Sequence, residues 1–342
     1  MAPDPRDERK RMQSFLAGMG FDYSDFRDRM LADICETMLR VRRSQHDEGQ
    51  VRLMASAMRE MWYAYHVFHG WEDVRKVSIF GSARTPEDHP DYLAAVEFSR
   101  LMAEQGWMSI TGAGDGIMKA GHEGPSRERS FGLSIRLPFE TSANEVIEGD
   151  PKLINFRYFF TRKLMFVDHA EAIVGFPGGF GTMDEVFESL VLIQTGKSPI
   201  VPVVLVEGKD GDFWQRWEDF TKGALLQEGW ISPEDTDLYR IVSSPEEAVE
   251  EITSFYRVYQ SARYVHDKLV LRLTRALMEE ELAILNDEFS ILIESGQIEN
   301  SAALPEEEEE VTHLPRLVFH HTKHKFGLVR QLIDRINGFD AP

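Results

Sequence analysis

Residues Pro177-Gly178-Gly179-Phe180-Gly181-Thr182-Met183-Asp184-Glu185 place three glycines, a hydroxyl and two carboxyls in one short stretch. The preceding Ala172-Ile173-Val174-Gly175-Phe176 reads as a buried strand. Val186, Phe187, Leu190, Val191 and Ile193 then recur at helical spacing. The glycines therefore occupy a strand-to-helix turn, where bare N–H groups and the helix dipole favour an anion. Glycine permits close approach, and Thr182 can cap the helix or give its hydroxyl to a phosphate oxygen. Glu185 is expected in the first helical turn, kept ionised by the dipole and facing whatever the phosphate carries. The plain alternative is a tight turn with a buried acid near its cap. Three glycines, a threonine and an acid together favour a phosphate site.

Elements that could position this turn are legible on both sides. The segment from about Phe15 to Trp71 reads as helical. It carries an apolar stripe through Leu31, Ile34, Met38 and Leu39, and another through Val51, Met54, Met58, Met61, Trp62 and Tyr65, both expected to be core or interface. From Lys76 strands alternate with helices. Strands are expected at Val77–Phe80, Trp107–Thr111, Phe131–Leu137, Glu171–Phe176 and Ile200–Val206. Helices are expected at Tyr92–Gln105, Tyr158–His169, Phe213–Gln227 and Pro245–Tyr259. Such alternation implies an α/β, Rossmann-like, doubly wound and mainly parallel sheet, whose ligands bind beyond the carboxyl ends of the strands. Gly81 to Arg84, Gly112 to Gly116 and Gly178 to Thr182 should all reach that edge. The Gly112 turn lacks a dinucleotide fingerprint and no Walker A lysine motif occurs, so neither is read as a nicotinamide or P-loop site.

The expected organisation is a helical N-terminal extension (1–75), a Rossmann-like domain (76–260) and a mostly helical, α-rich C-terminal extension (261–342). In the last, Tyr264 to Ser295 reads as a long helix through Leu269, Leu273, Leu277, Leu282 and Leu285. Glu306 to Glu310 reads as a solvated acidic loop, Leu317–Phe319 as a short strand and Phe326–Ile336 as a final helix. His313, His320, His321 and His324 match no metal-ligand spacing and no cysteine accompanies them, so no metal is expected.

Composition narrows the partners. A formal net charge of −20 over 342 residues argues against a nucleic-acid groove or an anionic membrane as the main partner. A small anion remains compatible, because local N–H groups and a few arginines dominate inside a pocket. The single cysteine, Cys35, excludes an internal disulfide framework and fits a reducing compartment. No apolar run spans a bilayer and Met1 to Arg11 holds no signal-peptide core, so a cytoplasmic protein is expected.

The glycine turn with its acid closely resembles the P-G-G-x-G-T-x-x-E signature of the LOG (Lonely Guy) family, long mislabelled as lysine decarboxylases. Further matches follow in order: Phe80-Gly81-Ser82-Ala83-Arg84, then Thr111 to Met118, Leu137-Pro138-Phe139-Glu140 and Phe159-Phe160-Thr161-Arg162-Lys163. Ala113 and Asp115 depart from the commoner Gly and Pro, and Asp184 stands where many members carry a second Glu. The resemblance covers about Lys76 to Tyr259. It implies a Rossmann-like fold, a homodimer or larger homo-oligomer, and phosphoribohydrolase activity. A nucleoside 5′-monophosphate, AMP-like or a cytokinin nucleotide, would be split to free base and ribose 5-phosphate without cofactor or metal.

By that resemblance Arg162 and Glu185 would be catalytic. Gly81, Ser82, Arg84, Gly114, Glu140, Lys163, Gly178, Gly179, Gly181, Thr182 and Asp184 would line the substrate. The chemistry is coherent: a carboxylate near the anomeric carbon stabilises oxocarbenium character or activates water, and Arg162 offers a planar donor fork. Each residue also has a structural alternative: an ion pair for Arg162, a dipole-stabilising acid for Glu185, turn residues for Ser82 and Arg84. No recognisable pyridoxal-phosphate lysine motif supports the decarboxylase label. The rival function is a non-catalytic binder or carrier of a nucleotide or of the molybdenum cofactor, which needs only the phosphate cradle.

Overall fold

In the computed structural model, residues 5–44, 46–136, 143–307 and 311–339 are described. The chain forms two compact units, Met1–Tyr63 and Ala64–Pro342. The first holds helices α1 (Pro5–Gly18) and α2 (Phe26–Arg43) and most of α3 (Glu48–Phe68). Asp25 caps α2 by accepting the Asp28 N–H, and Arg9 ties α1 to Glu36 on α2 at 2.7 Å. The two expected apolar stripes are not the core of this chain. Leu31, Ile34, Met38, Met54, Met58 and Trp62 are exposed, whereas α2 buries Ala32 and Glu36.

The second unit is organised by seven strands: β1 (Lys76–Phe80), β2 (Met108–Thr111), β3 (Ser130–Ile135), β4 (Leu153–Phe156), β5 (Ala172–Gly175), β6 (Val203–Val206) and β7 (Tyr239–Val242). They form one sheet in the order β4-β3-β2-β1-β5-β6-β7, and every neighbouring pair is parallel. The central strands β1, β2, β5 and β6 are buried at every position, the reason their sequences read as near-continuous apolar runs. The edge strands β4 and β7 were absent from the sequence reading. Their burial is broken (Leu153 half-buried, Asn155 exposed; Arg240 to Val242 half-buried), so no uninterrupted apolar run announces them. The connecting helices are α4 (Pro90–Glu104), α5 (Ile117–Glu123), α6 (Phe159–Asp168), α7 (Phe180–Gln194), α8 (Phe213–Phe220) and α9 (Pro245–Phe255). The helix expected over Phe213–Gln227 changes at Thr221 into a π-helical turn through Leu226.

From β1 the chain builds outward through β2, β3 and β4. It then returns to lay β5 on the other side of β1 and continues to β6 and β7. The carboxyl ends of β1 and β5 are therefore the topological switch point, where such sheets open a crevice for ligands. Backbone bonds join the two strand ends there: Phe176 N–H to Phe80 O at 2.8 Å, and Ser82 N–H to Pro177 O at 3.1 Å.

The C-terminal segment corrects the sequence reading. In place of one long helix over Tyr264–Ser295, the chain forms β8 (Tyr259–Val265), β9 (Lys268–Leu273), α10 (Glu279–Glu288) and β10 (Ile293–Ser301). β11 (Arg316–His321) and α11 (Phe326–Gly338) follow, and the strands pair antiparallel in the order β10-β11-β9-β8. The ambiguity is geometric. Leu269, Leu273 and Leu277 repeat every four residues, which fits a helix face and equally one face of a strand. Val270 and Leu271 between them are also buried, as in a strand covered on both faces.

The acidic run departs from expectation as well. Glu307 is buried, and Arg272 (2.9 Å) and Arg316 (2.8 Å) bind its carboxylate; residues 308–310 lie outside the described residues. His320 pairs with Asp267 and His321 is buried beside the Tyr264 hydroxyl. Among the described residues no group of His, Cys, Asp or Glu could hold a metal ion, and no helix is long and apolar enough to cross a membrane.

Candidate functional site at the switch point

A cleft of about 610 Å³ opens over the carboxyl ends of β1 and β5. The turn after β1 supplies Gly81, Ser82, Ala83 and Arg84, and the start of α7 supplies Gly179, Phe180, Gly181, Thr182, Asp184 and Glu185. Arg162, Phe159 and Phe166 enter from α6, Gly112 from the β2–α5 connection and Met118 from the start of α5.

α7 begins at Gly179 with no side-chain cap, so its first-turn amides depend on something other than a cap. Of the two roles expected for Thr182, helix cap or hydroxyl to a phosphate oxygen, the cap is not formed. Thr182 is the third helical residue, and its buried hydroxyl packs where a Gly178 Cβ would lie, 2.1 Å away. Gly178 is required for that closeness, since the same Cβ would also come within 2.9 Å of the Ser82 nitrogen. Ser82 joins three segments: its N–H donates to Pro177, its carbonyl accepts from Ile117 N–H and its Oγ accepts from Arg84 N–H.

Glu185 also differs from expectation. It is the sixth residue of α7 and so lies beyond the first turn, where the dipole falls off. Burial raises its carboxyl to about 7. Lys163 and Arg162 oppose that shift, while Asp184 and Glu188 add to it. The Lys163 ammonium stands 3.9 Å from Glu185 Oε2, too far for a hydrogen bond, and binds Asp184 at 2.7 Å instead. Among the described residues nothing hydrogen-bonds Glu185 Oε2, which is fully buried. An unpaired buried carboxylate is costly, so the carboxyl takes up a proton near neutral pH.

The Arg162 guanidinium is oriented by Leu133 O, which accepts its Nε–H at 2.7 Å, and by Gly112 O, 3.5 Å from Nη2. It lies 5.2 Å from the centre of the Phe166 ring. Gly112 is a true close approach: a Cβ there would sit 2.3 Å from Arg162 Nη2 and 2.5 Å from Met118 Sδ.

The cleft therefore gathers Gly81, Ser82, Arg84, Arg162, Gly179, Gly181, Thr182, Asp184 and Glu185. Gly178, packed against Thr182 and Ser82, is not among the residues that line it. Gly114 lines a neighbouring pocket with Ser134, Arg136 and Asn155, and Lys163 lines an adjoining groove with Phe160 and Leu164. Glu140 and the Leu137–Glu140 motif fall outside the described residues. Phe80, Met118, Phe166 and the fully exposed Phe180 line the cleft as well, and their apolar types carry no chemical signal of their own in the sequence.

Fold and cleft together define a doubly wound α/β protein with an uncapped helix end and a buried carboxyl at its switch point. Residues 112–252 match the family described as possible lysine decarboxylase. A probable cytokinin riboside 5′-monophosphate phosphoribohydrolase, LOG4 of Oryza sativa subsp. japonica, is 26% identical over 185 residues, 53% of this chain and 77% of the relative. Among solved structures, a molybdenum cofactor binding protein from Rippkaea orientalis matches with TM-score 0.37 and 23% identity, covering 53% of this chain and 95% of that one. A molybdenum cofactor carrier protein from Chlamydomonas reinhardtii matches with TM-score 0.38 and 18% identity, covering 53% and 96%. Residues 112–252 are thus similar to a LOG-like domain and lie within the parallel-sheet region.

Proposed function

We propose that this domain hydrolyses the N-glycosidic bond of a nucleoside 5′-monophosphate, AMP-like in its base, to free base and ribose 5-phosphate. The observation that carries the reading is Glu185, a cleft carboxyl buried, unpaired at Oε2 and poised at about 7. A group whose pKa lies near the working pH is best suited to moving a proton in a transition state. The activity in the name of the Oryza relative supports the same reaction class.

The phosphate would seat on the uncapped start of α7, between Gly179 and Thr182, with Arg162 bringing positive charge to phosphate or ribose oxygens. That anchor holds the sugar for attack, so binding energy remote from the reacting bond assists it. Water attacks the anomeric carbon as the C–N bond breaks, and the bond pair leaves with the base. Glu185 takes one proton from the water and the base gains one, which restores the carboxylate.

The test is release of ribose 5-phosphate from a panel of monophosphates (AMP, GMP and cytokinin riboside forms) by wild type and Glu185→Gln. Turnover by wild type that is lost in a variant melting no lower than wild type supports the hydrolase and ranks the bases. Tight binding across the panel without turnover would replace it with a carrier of nucleotide or phosphorylated cofactor.

A further inference from the structure

Beneath the Gly112–Gly114 turn lies a buried polar cluster that the chemistry above leaves unused. His122, on α5, is fully buried. Its Nε2 lies 2.9 Å from Thr111 Oγ1 and 3.0 Å from Phe131 O, and its Nδ1 lies 3.2 Å from Asn144 Nδ2. Asn144 Nδ2 donates to Gly114 O at 2.9 Å, and the Asn144 backbone N–H donates to Ala113 O at 2.8 Å. Thr111 Oγ1 accepts the Ala113 N–H and donates to Met118 O, both at 3.1 Å.

A neutral ring whose Nε2–H points toward Phe131 O and Thr111 Oγ1, and whose Nδ1 accepts from Asn144 Nδ2, satisfies the shorter contacts and leaves Asn144 Oδ1, 3.4 Å from Nδ1, without a bond to the ring. Burial, the leading cause, lowers the imidazole to about 4 and so keeps the ring neutral across the physiological range.

The turn held by this cluster is strained. Ala113 adopts φ +62°, a left-handed conformation that is unfavourable for a residue with a Cβ. Thr111 and Asn144 grip Ala113 from both sides through its N–H and its carbonyl. One residue earlier stands Gly112, against whose backbone the Arg162 guanidinium packs.

We propose that His122 and Asn144 are positioning residues of the cleft, holding the Gly112–Gly114 turn at the height that aims Arg162 at the ligand's phosphoribosyl group. The identity of that ligand rests on the function proposed above; the positioning rests on the geometry of the turn.

The experiment follows hydrogen exchange at the Arg162 Nε–H by NMR in the full-length chain, with the Trp214 indole N–H, bonded to Val206 O at 3.1 Å, as the remote reporter. Asn144→Ala deletes both Nδ2 bonds and keeps the backbone bond to Ala113. It is expected to speed exchange at Arg162 about tenfold or more while Trp214 is unchanged. His122→Gln is the milder variant should Asn144→Ala fail to fold, with the same direction expected. Unchanged exchange at Arg162, or equal acceleration at Trp214, overturns the proposal.

Kinetics supply a second readout. Asn144→Ala should lower kcat about 10- to 100-fold with little change in KM, and add almost nothing in an Arg162→Ala background. Additive losses in that cycle would overturn the coupling to Arg162. A wild type that turns over no monophosphate would sink the hydrolase reading alone, because exchange still decides the positioning.

Discussion

Glu185 in the cleft and Glu307 in the C-terminal sheet are both withdrawn from solvent, yet their charges are handled in opposite ways. Burial pushes both carboxyls upward. At Glu307 hydrogen bonds from Arg316, the Leu304 amide and Arg272 outweigh burial and hold the group at about 2. At Glu185 the nearest cation, Lys163, spends its short contact on Asp184, and burial prevails to about 7. A structural carboxylate is saturated by its own protein. Under the proposed function Glu185 is the working carboxylate, left incomplete at Oε2 so that a ligand would finish the arrangement.

The contrast is sharpest in substitutions that remove charge alone. Glu185→Gln is expected to lower turnover by about 10²–10⁴-fold, measured as ribose 5-phosphate release. It should do so without loss of stability. Because the folded carboxyl sits near 7, above its ordinary 4.5, the native state loses stability as pH rises through 7. The variant should therefore resist urea better than wild type above pH 7, an advantage that shrinks as pH falls from 7 and is gone by about 4.5. Equal stability of the two proteins at every pH would break this side of the comparison.

Glu307→Gln is expected to behave inversely. Leaving Arg272 and Arg316 buried without their anion should cost about 3–5 kcal/mol in urea unfolding at pH 7, with turnover per folded molecule unchanged. The folded pKa is depressed, so the wild-type contribution is complete above 4.5 and disappears as pH falls toward 2. The deficit of the variant should shrink over the same window.

Gly112→Ala comes next. Its Cβ would collide with Arg162 Nη2 and Met118 Sδ, both at the ends of flexible side chains, so the guanidinium should move and the fold survive. Turnover should drop by about tenfold or more, with melting nearly unchanged. The smallest effect is expected from Lys163→Met. Lys163 opposes the upward shift of Glu185, so its loss should move the acid limb of kcat/KM to higher pH and leave the alkaline rate nearly unaltered.

The sequence disclosed the cradle better than the chemistry inside it. The central strands and the Pro177–Glu185 turn were readable because complete burial writes an apolar run and a close backbone approach writes glycine. The state of Glu185 was not readable. It depends on how far down α7 the residue falls and on Lys163 and Arg162 arriving from α6, none of which is local. Glu307 was hidden for the same reason: among four other glutamates it looked solvated, and only the pairing of β9 with β11 brings two arginines onto it. His122 showed no motif, because its partners Thr111, Phe131 and Asn144 converge only after the sheet has formed.

The stitching of β1 to β5 has a consequence for the order in which the protein can be made. β1 gains β2 on one side early, but its other edge has no partner in the chain until Ala172–Gly175 has been synthesised. Throughout that interval Val77, Ile79 and Phe80 form an apolar strand with an open hydrogen-bonding edge, the kind that pairs readily with another chain. The crevice at the switch point and this late-paired edge of β1 thus share one address in the fold. The insertion of β5 that ends the exposure also brings the α7 turn beside the turn after β1.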